Sequence, residues 1–183
     1  MIDHKSTVRK KMKRLLKKNY AVNETAPWDA AKKILFYLNN TNIKKIALYW
    51  PMQYELDTRP LIKLLLEKNI NISLPSILSN QIKFLNWNLD DTLVFDKLKF
   101  YHPKKNAIQT IPNIVIVPML AFDKQGFRLG YGKGFYDKFY ENNKKIFYIG
   151  YGYDFQEVDK LPLKHYDLKF DAVITNSFIK NFN

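Results

Sequence analysis

Apolar side chains recur near the start of the chain at Val8, Met12, Leu15 and Leu16, which at 100° per residue share one face of a helix running from Ser6 or Thr7 to Lys18. Lys10, Lys11, Arg14, Lys17 and Lys18 point away from that face, but Lys5 falls inside the apolar sector and Arg9 at its edge. Two inward cations have two readings: long stems snorkelling from the edge of the stripe, or a buried anion beside the start of the helix. A second helix is predicted over Pro27–Leu38, with Thr25 as its cap, Pro27 in its first turn and Ala30, Ala31, Ile34, Leu35 and Leu38 as its buried stripe. Lys44–Trp50 reads as a short apolar strand closed by Pro51. Thr58 is placed to cap a third helix through Lys68, and Ile70–Leu74 is a strand running into Pro75. Strand, helix, strand is the order of a crossover unit with parallel strands.

From Ile82 to Tyr101 the pattern shifts to short runs rich in Phe, Trp and Val, broken at Asn88, Asp90 and Asp91, which predicts antiparallel hairpin strands. Pro103–Pro112 is a polar loop. Asn113–Val117 is the most uniformly apolar strand and is assigned to the centre of the sheet. A long loop, Pro118–Lys133, leads to a helix over Gly134–Asn142, and Ile146–Gly150 and Asp171–Thr175 are further strands. With no repeat, low-complexity tract or linker, the 183 residues are expected to form one α/β domain, 1–183.

Composition narrows the chemistry. Hydrophobic residues at 46% and charged residues at 26% fit a folded globular chain. No apolar run approaches the roughly 18 residues that span a bilayer, and the lysine-rich start lacks the apolar segment of a secretory signal, so the expected location is the cytoplasm, without membrane partners. Zero cysteines exclude disulfides and thiol nucleophiles, and His4, His102 and His165 show no zinc spacing. Thirty basic against seventeen acidic residues leave a net charge of +13, and eight of the thirty fall in the first eighteen positions. An acidic partner follows; net charge alone does not choose among nucleic acid, an anionic membrane face and a polyanionic small molecule.

Glycine usage says more. Four of the six glycines, Gly126, Gly130, Gly132 and Gly134, lie within nine residues between the central strand and a helix, with Arg128 and Lys133 among them. A loop needing several positive φ angles is one reading; bare amides, a helix start and two cations also describe a cradle for phosphate. The spacing matches neither the dinucleotide pattern G-x-G-x-x-G nor the P-loop. Asp137 falls one turn past Lys133, either as a surface acid or as a ligand to magnesium held by phosphates. Glu55 follows the strand ending at Trp50, on the side where open parallel sheets bind ligands. Trp50 itself is either core or an aromatic wall for a flat heterocycle.

Val117-Pro118-Met119-Leu120-Ala121-Phe122-Asp123, followed by Gly126 through Gly130-Tyr131-Gly132-Lys133-Gly134-Phe135-Tyr136-Asp137, closely resembles the signature of the 5-formyltetrahydrofolate cyclo-ligase family. Lys5 to Arg9 is similar to the family's amino-terminal basic motif, Tyr49 to Thr58 to its folate segment, and Leu161 through Asp167 to Asp171 to its carboxyl-terminal motif. The resemblance implies a doubly wound sheet and an enzyme that uses ATP, with magnesium, to close 5-formyltetrahydrofolate into 5,10-methenyltetrahydrofolate. Carried over by position, Lys5, Arg9, Arg128, Leu129, Gly130, Tyr131, Gly132, Lys133, Gly134, Phe135 and Tyr136 would hold ATP. Trp50 and Glu55, with Tyr131 to Phe135, would meet the reduced folate; Asp137 and Asp167 would ligate the magnesium. Glu55, Lys133 and Arg128 are the expected catalytic set. Two positions depart from the pattern: His102 precedes Pro103 where many relatives carry glutamate, and Phe135 stands where tyrosine is common.

Two alternatives make different demands. A nucleic-acid binder would use the basic helix with stacking aromatics interleaved with glycine, but the other bases are diffuse and such aromatics are absent; a phosphosugar isomerase or kinase on a similar scaffold needs a sugar-specific acid and base pair, and none is found. The expected partners are therefore ATP and a reduced folate, without nucleic acid, acting on a monomer.

Overall fold

The computed structural model describes residues 4–39 and 41–182. Helix α1 spans His4–Asn19 and α2 spans Ala26–Leu38, followed by β1 (Lys45–Ala47), α3 (Arg59–Glu67), β2 (Asn71–Leu78) and β3 (Gln81–Asn86). Then come β4 (Leu93–Phe95), β5 (Tyr101–Pro103), β6 (Gln109–Thr110), β7 (Ile114–Pro118), β8 (Ala121–Asp123) and β9 (Arg128–Leu129). Helix α4 (Phe135–Asn142), β10 (Phe147–Gly152), a 3₁₀ turn (Asp154–Gln156), β11 (Glu157–Val158), β12 (Ala172–Thr175) and β13 (Ile179–Asn181) complete the order.

Eight strands form one sheet in the order β13-β12-β10-β7-β1-β2-β3-β6. Strands β12, β10, β7, β1 and β2 are mutually parallel. Strands β13, β3 and β6 add antiparallel edges. From β1 the chain steps to β2 on one side and later continues from β7 on the other, so the direction of winding reverses between β1 and β7. Open sheets of this kind receive ligands at the carboxyl ends of the strands flanking that reversal.

Alternation along the central strands separates two cores. Ile46, Leu48, Ile114, Ile116, Ile149 and Ile174 pack with Met12 and Leu16 of α1 and the apolar stripes of α2 and α3. Ala47, Val115, Val117, Tyr148 and Val173 face the other way, against Phe135, Tyr136, Phe139 and Tyr140 of α4. Burial on both faces explains why these strands read as continuous apolar runs. The expected mixed α/β class with a mostly parallel sheet and helices on both faces is the class observed.

Several boundaries differ for physical reasons. The strand expected over Lys44–Trp50 pairs only through Ala47, with Leu48 still donating to Ser73. The strand expected to end at Leu74 runs on to Leu78 because beyond Ser73 it pairs only with β3, where Pro75 faces Phe84 and needs no partner on its other side. The two expected caps are not side-chain caps. Asn23 Oδ1 accepts from the amides of Thr25 and Ala26, whereas Thr25 donates to Asn23 and Asp29. Thr58 donates instead to the carbonyl of Tyr49 at 2.6 Å. The loop expected over Pro118–Lys133 contains the β8–β9 hairpin, and the one over Pro103–Pro112 contains β6.

Candidate functional site

A cleft of about 760 Å³ opens at the carboxyl ends of β1 and β7, at the point where the winding reverses. Its walls come from α1, the turn after β1, the segment 128–141 and the loop around Asp167. Each residue carried over by resemblance, from Lys5 and Arg9 through Trp50, Glu55 and Arg128–Asp137 to Asp167, lines this one cavity.

The two inward cations of α1 both cross the cleft. Lys5 Nζ pairs with Asp167 Oδ2 at 2.5 Å, and Arg9 Nε donates to the carbonyl of Gly130 at 2.9 Å. Met12 and Leu16, on the same face, anchor the helix in the core. The glycine loop is held against α1 by this contact. Gly132 has φ +105°, and a Cβ there would lie 3.4 Å from the Arg9 guanidinium. Gly134 has φ +70° and precedes α4 with open space around it. Lys133, between them, is exposed at the rim.

Arg128 is a buried pillar of the site. Its side chain, 5% exposed, donates to the carbonyl of Pro118 and to Asp137 Oδ1, and lies 5.1 Å from the centre of the Tyr136 ring. Its Nε is buried and has no hydrogen-bond partner among the described residues. Asp137 Oδ1 also accepts from the amide of Leu168, which directly follows Asp167. Asp167 Oδ2 in turn accepts from the amide of Lys164. The second oxygens, Oδ2 of Asp137 and Oδ1 of Asp167, accept no hydrogen bond among the described residues.

No group of three or more acidic or histidine side chains that could hold a metal ion unaided lies among the described residues. Two neighbouring carboxylates with open oxygens suit magnesium in the other way it is commonly held, by one or two carboxylates together with ligand phosphates. The donor set therefore fits a metal that arrives with a phosphorylated ligand.

Glu55 is presented by a tightly closed turn. Tyr49 donates to the carbonyl of Leu56, Thr58 donates to that of Tyr49, and the Met52 amide donates to Glu55 Oε2 at 2.8 Å. Tyr54, at φ +72°, packs edge-on against Tyr20 and turns the chain into Glu55. Glu55 is 9% exposed, and its Oε1 is buried without a hydrogen-bond partner among the described residues. Burial pushes its pKa up to about 7, against the opposing pull of the Met52 amide and the Tyr131 hydroxyl. That hydroxyl is near enough to influence titration without making a well-formed bond to Oε1. Burial and the Glu55 charge hold the Tyr131 phenol well above its ordinary value, so it stays neutral. Trp50 is half-buried, edge-on to Trp87 at 5.6 Å, and serves both core and cleft.

Three features of the cleft carried no assignment from sequence. Lys13 lies over the Tyr131 ring at 5.6 Å; the spacing Lys5, Arg9, Lys13 puts it on their face of the helix, and that periodicity was the available signal. Lys164 reaches the cavity from the loop before Asp167. Pro75, Ile77, Ile82, Leu98 and Phe100 form an apolar wall that only the folded β2–β3 and β4–β5 hairpins assemble. His102 is buried with Nδ1 2.6 Å from the carbonyl oxygen of Pro103.

Fold and cleft together define an α/β protein with a cation-rich ligand site at the switch point of its sheet. The sequence model of the 5-formyltetrahydrofolate cyclo-ligase family matches residues 1–176, and the chain belongs to that family. The 5-formyltetrahydrofolate cyclo-ligase of Escherichia coli K12 is 34% identical over 157 residues, covering 81% of this chain and 86% of that protein. That of Haemophilus influenzae is 35% identical over 141 residues, covering 72% and 75%. Among solved structures, the 5,10-methenyltetrahydrofolate synthetase of Aquifex aeolicus superposes with a TM-score of 0.77 at 28% identity, covering 98% of this chain and 93% of that one. No helix among the described residues is long and apolar enough to cross a membrane.

Proposed function

We propose that the protein catalyses the ATP-dependent closure of 5-formyltetrahydrofolate to 5,10-methenyltetrahydrofolate, releasing ADP and phosphate, as a single cyclo-ligase domain over 1–183 and as a cytoplasmic monomer. The observation that carries this reading is the convergence, in one cleft, of the α1 cations, the glycine loop and the Glu55 turn. Membership of the family supplies the reaction.

A formyl group on nitrogen is a poor electrophile, because the nitrogen lone pair is delocalised into the carbonyl. In the proposed reaction the formyl oxygen attacks the γ-phosphorus, the bond to ADP breaks, the neighbouring folate N–H nitrogen adds to the activated carbon and releases its proton to solvent, and phosphate leaves carrying the formyl oxygen. Catalysis of phosphoryl transfer rests on positioning and charge neutralisation. Lys5, Arg9, Lys133 and the loop from Arg128 to Tyr136 would hold the nucleotide, with Arg128 keeping the loop in place through Pro118 and Asp137. Asp137 and Asp167 are the residues that would hold magnesium, which neutralises phosphate charge when bound. Trp50 would pack against the folate ring, and Glu55, through its buried and unsatisfied Oε1, would hydrogen-bond the folate and orient the formyl group.

The test is direct. Purified protein mixed with magnesium, ATP and 5-formyltetrahydrofolate is expected to produce the methenyl product, followed by absorbance, with one phosphate released per product. Phosphate release without methenyl product, or no reaction with a folded protein, would overturn the reading.

A further inference from the structure

Asp123 ends β8, is 1% exposed and does not line the cleft. Both of its oxygens are engaged by backbone amides. Oδ1 accepts from Gln125 and Phe127 at 3.0 Å each, closing the turn into β9, and Oδ2 accepts from Leu161 at 3.2 Å. The same turn grips the chain again further on. Phe170 donates to the carbonyl of Gly126, Arg128 donates to that of Leu168, and Phe127 bridges Lys169. The segment 161–170 is thus tied to one turn at both ends, and between the ties lie Lys164 and Asp167, both lining the cleft.

We propose that Asp123 is a positioning residue of the active site, one that sets the placement of Asp167 and Lys164 by anchoring Leu161 to the turn that carries Arg128. Its kinetic consequence rests on the nucleotide assignment made above; its structural consequence does not. Without the Leu161 tie, the segment keeps its anchors at 168–170, the buried Leu161 side chain and the Lys5–Asp167 pair, but loses the only backbone hydrogen bond from Leu161 to the turn found among the described residues, and with it the register of the stretch that carries Lys164 and Asp167. A displacement of about 1 Å at a phosphate-binding carboxylate is enough to cost binding and rate.

Asp123→Asn separates the two functions of the side chain. An Asn oxygen still serves Gln125 and Phe127, but its NH2 then faces the Leu161 amide, donor against donor. Flipping the group would set the NH2 against two donors instead of one, so the turn keeps its geometry and the Leu161 tie is lost. A second variant replaces the Lys160–Leu161 peptide bond by an ester, deleting only that N–H. It carries the test should the Asn variant not fold. Asp159→Asn, at an exposed pair with Lys124, is the control.

Hydrogen exchange at Leu161 and Asp167 is expected to accelerate about tenfold or more in Asp123→Asn, with Gln125 and Phe127 still protected. KM for ATP is expected to rise about tenfold while KM for the folate stays within about twofold. In the ester variant the same exchange at Asp167 and the same KM split are expected, and Asp159→Asn is expected to match wild type. Unchanged exchange at Asp167, or equal rises in both KM values, overturns the proposal. If the wild-type protein shows no turnover, the cyclo-ligase reading fails, and exchange together with calorimetric ATP binding still decides this one.

Discussion

Arg9 donates its Nε hydrogen to the carbonyl of Gly130 across 121 positions of sequence, so the first helix and the glycine loop are a single unit of structure. Lys5, one turn earlier, makes the parallel contact to Asp167. Arg9→Ala and Lys5→Ala are expected to raise KM for ATP about tenfold each, and Lys10→Ala, on the exposed face, to stay within about twofold. Steady-state kinetics with ATP varied checks this; equal effects at all three positions would remove the role given to the inward face.

Glu55 links activity to pH and to stability. Its pKa is about 7 in the folded protein and the ordinary 4.5 when unfolded, so between those values the folded state binds the extra proton. Its contribution is therefore most favourable below about pH 4.5 and is lost as pH rises toward 7, a difference on the order of 3 kcal/mol. Glu55→Gln is expected to abolish that slope and to be more stable than wild type at pH 8, while turnover falls at least about a hundredfold. Urea unfolding at pH 5.5 and pH 8 on both proteins is the measurement; parallel pH slopes would contradict it.

Asp137 balances a buried guanidinium as well as facing the cleft. Asp137→Asn removes the charge opposite Arg128 and is expected to lower stability by about 1–3 kcal/mol, leaving the protein folded at 25 °C. Turnover is expected to fall, with a higher magnesium concentration needed for half-maximal rate. Full activity at the wild-type magnesium requirement would refute the metal assignment.

The loop glycines are not equivalent. Gly132→Ala meets a positive φ and the Arg9 guanidinium together, and is expected to cost about 1–3 kcal/mol and to weaken ATP. Gly134→Asn, in open space at a left-handed φ that Asn tolerates, is expected to cost less than about 1 kcal/mol. Thermal unfolding of both variants ranks them; the reverse order would contradict the backbone argument.

Periodicity identifies the first two helices and the inward pair Lys5 and Arg9, because each depends on positions repeated along one element, and the strand, helix, strand order with the uniformly apolar Asn113–Val117 identifies the parallel core. The residues of the glycine loop and the Glu55 turn were recognisable from composition and motif. The apolar wall was not: Pro75, Ile77, Ile82, Leu98 and Phe100 look like ordinary hairpin residues until two hairpins bring them to one cavity. Thr25 and Thr58 have the right chemistry for caps, but Asn23 and the Tyr49 carbonyl offered better partners within reach. The partnership of Arg128 with Asp137, and of Lys5 with Asp167, likewise depends on long-range geometry that spacing does not express.

Because the chain reverses its winding between β1 and β7, the ligand site is contributed by seven stretches, from α1 to the loop around Asp167, that are far apart in sequence. Occupancy by nucleotide or folate consequently acts on the folding equilibrium of the entire molecule, raising resistance to protease and heat everywhere at once instead of stiffening one local segment.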